Sequence, residues 1–259
     1  MGIVNRTPDS FFDNGTTFDL DQSVDRACAL IADGADIIDV GGVRAGPGAA
    51  VSVIEEIERV VPVIEAIATR FDVPISVDTW QSQVAKAAFA AGAVCGNDIS
   101  GFSDPEYLNV CAANGASVIA THIRLAPRVN DPNPVYPNDD VVTACEEYLL
   151  ERLNRALAAG LRPAQVIFDA GLDLGKTTEQ SLALLRASKR LVSLDQPLLL
   201  SASNKGFLGE LLGLEIDQRR VATLGAVAYG IALGCRIVRV HDVQGAARVV
   251  NTIQAILNQ

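Results

Sequence analysis

The pattern that most limits how this chain can fold is an alternation of short apolar runs with longer amphipathic ones. It repeats about every 30 residues, the length of a strand–helix unit. The short runs predict strands at 3–4, 37–40, 75–77, 94–97, 118–121, 166–168, 198–200 and 237–240. The longer runs predict helices at 24–32, 54–67, 84–91, 141–159, 180–191, 221–233 and 246–256. In the second of these, Ile54, Ile57, Val61, Ile64 and Ile67 recur at helical spacing with charges between them. Gly34, Gly92, Gly115, Gly160 and Gly234 each follow a helical or linking segment, where glycine ends a helix before the next strand. Eight strands alternating with seven or eight helices predict a single (β/α)8 TIM barrel over residues 1–259. A doubly wound open sheet is the alternative, but it usually opens on a glycine-rich first turn, and residues 5–11 are not one. The 259 residues match the roughly 250 of one such barrel, although length alone also permits two smaller domains.

Composition fits the same architecture. The chain is 49% hydrophobic but only 5% aromatic, so its core is expected to be Ala, Val, Ile and Leu, as in buried parallel strands covered by Ala-rich helices. No apolar run reaches the roughly 20 residues needed to span a membrane, and the first residues read as strand and polar loop rather than a signal peptide. Five cysteines are scattered without a C-x-x-C pair, which suits buried thiols in a reducing cytoplasm. With two histidines and no ligand-like spacing, a zinc site is not expected. A net charge of −10 argues against nucleic acid or an anionic membrane as partner. Any anionic substrate therefore has to be held by local donors.

Polar residues collect where predicted strands end, the position at which a (β/α)8 barrel keeps its chemistry. The first strand runs into Asn5-Arg6-Thr7-Pro8-Asp9-Ser10-Phe11 and the last into Arg239-Val240-His241-Asp242-Val243. If the first and last strands are barrel neighbours, these clusters meet. Between them fall Asp39, Asp78, Asn97-Asp98, His122, Asp169 and Ser203-Asn204-Lys205. Asp39 and Asp98 are equally readable as turn or capping residues, and Asp78 as a cap of the following helix. Asp78, Asn97 and Asp169 together offer acceptors and one amide to a flat heterocycle rich in N–H donors, such as a pterin or a purine. Lys205, Arg239 and His241 suit stacking on that ring and phosphate oxygens. Asn5 is a candidate oxygen ligand for Mg²⁺, which keeps waters and substrate phosphates as its other ligands. Residues 128–138, with three prolines, form a long loop and a candidate lid. Residues 171–177 (GLDLGKT) imitate a phosphate loop but are one residue short and follow the sixth strand. Trp80 is read as packing near a helix start rather than as a stacking platform.

In order along the chain, these residues resemble dihydropteroate synthase. The resemblance rests on residues 1–11, Asp36-Ile37-Ile38-Asp39-Val40-Gly41-Gly42 with Pro47-Gly48, Ser76-Val77-Asp78-Thr79, Asn97-Asp98, Asp169, Ser203 with Lys205, and residues 239–243. It implies a barrel, commonly a homodimer, that joins p-aminobenzoate to 6-hydroxymethyl-7,8-dihydropterin diphosphate with Mg²⁺, releasing diphosphate in folate biosynthesis. It also implies Asp78, Asn97, Asp169 and Lys205 on the pterin ring, Arg239 stacked nearby, His241 on the diphosphate and Asn5 on Mg²⁺. Asp9 and Ser10 fall in its mobile first loop, Asp9 with a catalytic part, and Ser203 at the aminobenzoate end.

The chain departs from the family pattern in four places. Val43-Arg44-Ala45-Gly46 stands where Glu-Ser-Thr-Arg usually precedes the proline. Losing a charged donor there costs about 1.5–3 kcal/mol, and Arg6 or Arg44 is expected to supply the missing cation. Asn204 replaces an arginine, Ala170 a proline, and Leu174 an aromatic that often covers the aminobenzoate ring. The chain also begins at the first strand, without the family's short leader, which is expected to leave the barrel floor more open. Three readings follow: a dihydropteroate synthase; a pterin-diphosphate-binding paralogue that takes another amine or serves a binding or regulatory role; and a pterin-binding methyltransferase domain, disfavoured by the absence of a corrinoid module here.

Overall fold

The strand runs form the staves of a closed barrel in a computed structural model that describes residues 1–7, 19–46, 48–129, 131 and 133–257. They are β1 (Gly2–Asn5), β2 (Ile38–Gly41), β3 (Ile75–Asp78), β4 (Cys95–Asp98), β5 (Ser117–Thr121), β6 (Val166–Asp169), β7 (Leu198–Leu200) and β8 (Ile237–Val238). All pairings are parallel and follow chain order from β1 to β8. The two ends of the sheet meet: Gly2 bridges Val240, and the Val240 amide donates to the Met1 carbonyl at 3.0 Å. The expected neighbourhood of first and last strands is therefore met.

Around the barrel lie α1 (Leu20–Ala32), α2 (Val53–Ala68), α3 (Ser82–Ala90), α4 (Tyr107–Ala113), α5 (Val141–Ala158), α6 (Thr178–Arg186), α7 (Ser188–Val192), α8 (Gly206–Leu212), α9 (Arg220–Ala232) and α10 (Val243–Leu257). The helix predicted at 180–191 is two, broken at Ala187, where the Ser188 hydroxyl turns back onto the Leu185 carbonyl at 2.8 Å. Helices α4 and α8 were not expected; at seven residues each they are too short to show a period. The five stop glycines all take positive φ, and at Gly92 (φ 114°) a Cβ would also lie 2.8 Å from that of Ala68. Among the described residues, no helix is long and apolar enough to cross a membrane.

Strand alternation makes two cores. Val4, Ile38, Val40, Val77, Val118, Phe168 and Leu200 point outward and pack under the helices. Met1, Cys95, Ile119 and Leu199, with Ile37, Ile167 and Ile237, point inward and fill the barrel floor. Two residues further along, the same inward phase delivers Asp39, Asn97, Asp169 and Arg239, with Asp78 beside them. The period that builds the apolar floor thus places the polar layer directly above it.

Candidate active site

The polar layer opens into a cavity of about 650 Å³ whose lining includes Asn5, Arg44, Asp78, Lys205, Arg239 and His241. Arg239 lies across its floor. Its Nε donates to Asp39 Oδ2 at 2.6 Å and its Nη2 to Asp78 Oδ2 at 2.7 Å. Asn97 Nδ2 also donates to Asp39 Oδ2, at 3.2 Å. Asp169 accepts from the Gly171 amide at 2.7 Å, and Lys205 Nζ donates to the Leu172 carbonyl at 2.5 Å. Ser203 Oγ lies 2.8 Å from His241 Nδ1 and accepts from the His241 amide at 3.1 Å, so β7 and β8 orient the imidazole together.

The electrostatics follow from burial. Asp78 is pushed up to about 7 by desolvation, against the pull of Arg239 and with Asp39, Glu56 and Asp98 adding repulsion. Burial also raises Asp169, with Lys205 opposing. Burial lowers Lys205, with Asp169 and Asp173 opposing. For Arg239, burial works against the charge, but Asp39 and Asp78 outweigh it and hold its pKa above the ordinary value. A ring presenting N–H groups to this floor meets Asp78, held near neutrality, Asp169, raised by burial, and a cation that spans Asp39 and Asp78.

The expected residues are not all at the surface of the cavity. Asn97 (4% exposed) and Asp169 (6%) sit deep, while Asn5, Asp78, Ser203, Lys205, Arg239, His241 and Arg44 line it. Asp9, Ser10 and Pro47 lie outside the described residues. The expectation for Arg6 is corrected. Its Nη1 donates to the Glu58 and Arg59 carbonyls of α2, both at 3.0 Å, and it does not line the cavity. Pro62 supplies the reason: lacking an N–H, it leaves the Glu58 carbonyl without its helical donor, and Arg6 takes it. Arg6→Ala is expected to lower stability by about 1.5–3 kcal/mol in urea unfolding and to leave diphosphate binding within about twofold by calorimetry.

Asp39, readable from sequence either as a turn or as a site residue, is the second of these. It caps no helix and makes no turn, but is fully buried and anchors Arg239 and Asn97. Its inward phase with Ile37 was the signal for this. Asp98 does make the turn, accepting from the Ser100 and Phe102 amides at 2.6 and 3.0 Å. Asp78 caps nothing; the N-cap of α3 is Gln81. The phosphate-loop imitation is structural: Lys176 Nζ donates to the carbonyls of His122 (3.1 Å), Gly171 (2.7 Å) and Leu174 (3.1 Å). Lys176→Met leaves these carbonyls without that donor and is expected to cost about 2–4 kcal/mol in urea unfolding. From the long loop, Arg128 lines the cavity while its Nε and Nη1 donate to the Gly46 and Ala49 carbonyls at 3.0 and 2.9 Å. It holds the altered second loop, a role that spacing alone did not reveal.

A closed parallel barrel whose C-terminal strand ends carry acids, an amide and cations above an apolar floor is the arrangement of a barrel enzyme acting on a small polar ring. The model of a family described as pterin binding enzyme matches residues 1–241. The chain is 44% identical over 260 residues to a Mycobacterium tuberculosis protein named inactive dihydropteroate synthase 2, a match spanning 99% of this chain and 82% of that one. It is 38% identical over 259 residues to Escherichia coli dihydropteroate synthase, spanning 100% of this chain and 91% of the relative. The crystal structure of Yersinia pestis dihydropteroate synthase with a sulfonamide drug complex superposes with a TM-score of 0.96 at 36% identity, covering 100% and 94% of the two chains. The chain belongs to the pterin-binding enzyme family, within its dihydropteroate synthases.

Proposed function

We propose that the protein is a cytoplasmic, homodimeric transferase of folate biosynthesis that joins 6-hydroxymethyl-7,8-dihydropterin diphosphate to p-aminobenzoate and releases diphosphate. The observation that carries this reading is the inward polar layer of Asp39, Asp78, Asn97, Asp169 and Arg239, with Lys205 lining the same cavity from the start of α8. Asp78 and Asp169 accept ring N–H groups, and a ring that donates to Asp78 takes over an interaction now made by Arg239. Arg239 and Lys205 flank the ring; His241, oriented by Ser203, donates to the diphosphate. Carboxylates near the ring tolerate the positive charge that develops on the methylene as diphosphate departs. The amine is a weak base, so its attack needs positioning more than proton abstraction.

Asn5 fits Mg²⁺. It faces the cavity from the end of β1, and its neighbour Gly41 leaves open a place where a Cβ would sit 3.4 Å from Asn5 Oδ1. Among the described residues no three His, Cys, Asp or Glu side chains converge on a metal site, which suits an ion held mainly by substrate phosphate and water. When bound, Mg²⁺ neutralises charge on the leaving diphosphate. The homodimer is supported by apolar side chains exposed on three consecutive helices, among them Leu212 on α8, Val221 and Tyr229 on α9, and Ile256 on α10.

The second loop favours a second reading, a paralogue that binds pterin diphosphate and condenses p-aminobenzoate poorly. Val43–Gly46 brings one cation, Arg44, to the cavity, and a 44% identical relative carries the name inactive. Diphosphate release measured with and without p-aminobenzoate separates the two. Release that depends on p-aminobenzoate and yields dihydropteroate supports the synthase; pterin diphosphate binding without such release supports the paralogue.

A further inference from the structure

The loops after β2 and β5 meet across the cavity, and each brings an arginine to its lining, Arg44 from the first and Arg128 from the second. Arg128 is the link between them. Its Nε donates to the Gly46 carbonyl at 3.0 Å and its Nη1 to the Ala49 carbonyl at 2.9 Å. Both guanidinium groups fold against glycines of the same loop. A Cβ on Gly46 would lie 3.2 Å from Arg44 Nε, and one on Gly48 2.6 Å from Arg128 Nη2. The two carbonyls use two of the five N–H groups of Arg128, and those of Nη2 are left for a ligand. The chain carries a net charge of −10, yet among the described residues no carboxylate pairs with Arg128. Asp131, three residues along and also at the cavity, is taken by Arg124. Asp173, in the same lining, accepts instead from the Gly206 amide at 2.6 Å and the Phe207 amide at 3.2 Å. Arg128 also holds a positive φ of 67°, a conformation that costs a side-chain-bearing residue and persists only where its surroundings enforce it. A guanidinium seated at that cost, lining a cavity that a second one also lines and not neutralised by a carboxylate, is built for an anion.

We propose that Arg128 is a diphosphate-binding residue, which with Arg44 holds the phosphate end of the pterin substrate and stabilises diphosphate as it leaves. The inference rests on the pterin-transferase reading and deepens it, naming a cation for the leaving group that comes from outside the second loop. Arg239 is committed to Asp39 and Asp78 on the cavity floor, so the charge of the outer phosphate falls to donors on the loops above. In the reaction the amine lone pair forms the C–N bond to the pterin methylene, the C–O electron pair leaves with diphosphate, and one amine proton passes to water. The departing oxygen gains negative charge as its bond to carbon breaks, so a fixed guanidinium beside it acts more strongly in the transition state than in the ground state. The Gly46 and Ala49 carbonyls supply that fixity before the substrate arrives.

The test titrates the full chain, with Mg²⁺, against two probes by calorimetry: inorganic diphosphate, and 6-hydroxymethyl-7,8-dihydropterin without its diphosphate. The proteins are the wild type, Arg128→Met and Arg128→Lys. Arg128→Met is expected to weaken diphosphate about tenfold or more and to leave the ring probe within about twofold. Arg128→Lys keeps the charge but cannot hold both carbonyls in one plane, and is expected to bring diphosphate affinity back to within about threefold of the wild type. A residue that only props the second loop gives the opposite pattern, with Lys no better than Met, and that result overturns the proposal. Diphosphate affinity unchanged in Arg128→Met overturns it too, as does an equal loss for both probes. A wild type that binds the ring probe but not diphosphate also overturns it and leaves the ring site standing. A wild type that binds neither probe overturns the transferase reading itself and this inference with it.

Discussion

Arg239→Ala is expected to lose about 3–5 kcal/mol of stability at neutral pH in urea unfolding, and to lose ring binding with it. The guanidinium is the shared partner of Asp39 and Asp78, at 2.6 and 2.7 Å, and Asp39 is wholly buried. Removing it leaves two carboxyls facing each other above an apolar floor, with Asp39 Oδ1 already lacking a hydrogen-bond partner. The desolvation that these groups suffer is then uncompensated, which is why breaking one partner of a buried network costs more than the network contributes. Arg239→Lys is expected to recover only part of the loss, because an ammonium is a point charge and the guanidinium spans both acids. The loss shrinks in acid, where Asp78 takes up a proton instead. A deficit under about 1 kcal/mol at neutral pH would mean that the floor is solvated and that Arg239 is a surface group.

The ring affinity is expected to climb with pH, and Asp78→Asn to abolish most of that climb while weakening binding about ten- to a hundredfold. Burial holds Asp78 up to about 7, so below that pH its carboxyl carries a proton where the ring needs an acceptor. Binding to the ionised form releases a proton, and affinity rises from about pH 6 to about pH 8. The probe is 6-hydroxymethyl-7,8-dihydropterin without the diphosphate, so that phosphate ionisation does not contribute. Stability runs the opposite way. Asp78 and Asp98, the latter held up to about 6 by burial, have folded pKa values above those of the unfolded chain. Their contribution is present in full below the ordinary carboxylate range and is lost as pH rises through about 6 to 7. Calorimetry across this window, with unfolding curves at the same pH values, checks both signs; a pH-independent affinity in the wild type would remove Asp78 from the ring site.

The barrel was legible because the strands are short apolar runs that end in polar clusters, and five of the eight follow a stop glycine. Those clusters mark one face of the barrel, so the sequence alone groups Asp78, Lys205, Arg239 and His241, which line one cavity. Asp39 was ambiguous because a lone aspartate near a strand end looks the same whether it caps a turn or points inward; only its phase with Ile37 distinguishes the two. Arg6 misled for a different reason. Its neighbours in sequence are site residues, but the partner that claims it is a carbonyl freed by Pro62, far along the chain. Asp173 lay inside a motif that was correctly set aside as a phosphate loop, and its pairing with the Gly206 amide joins two loops that no local pattern connects. Helices α4 and α8 were missed because two turns give periodicity too little length to register.

The central claim is that the inward polar layer is a pterin site, and calorimetric titration of the purified protein with 6-hydroxymethyl-7,8-dihydropterin diphosphate and Mg²⁺ tests it most directly. The account predicts saturable binding at one site per chain, weakened about tenfold or more by Asp169→Ala or Asp78→Asn and untouched by Arg6→Ala. An absence of binding, or binding that is indifferent to Asp78 and Asp169, would contradict it.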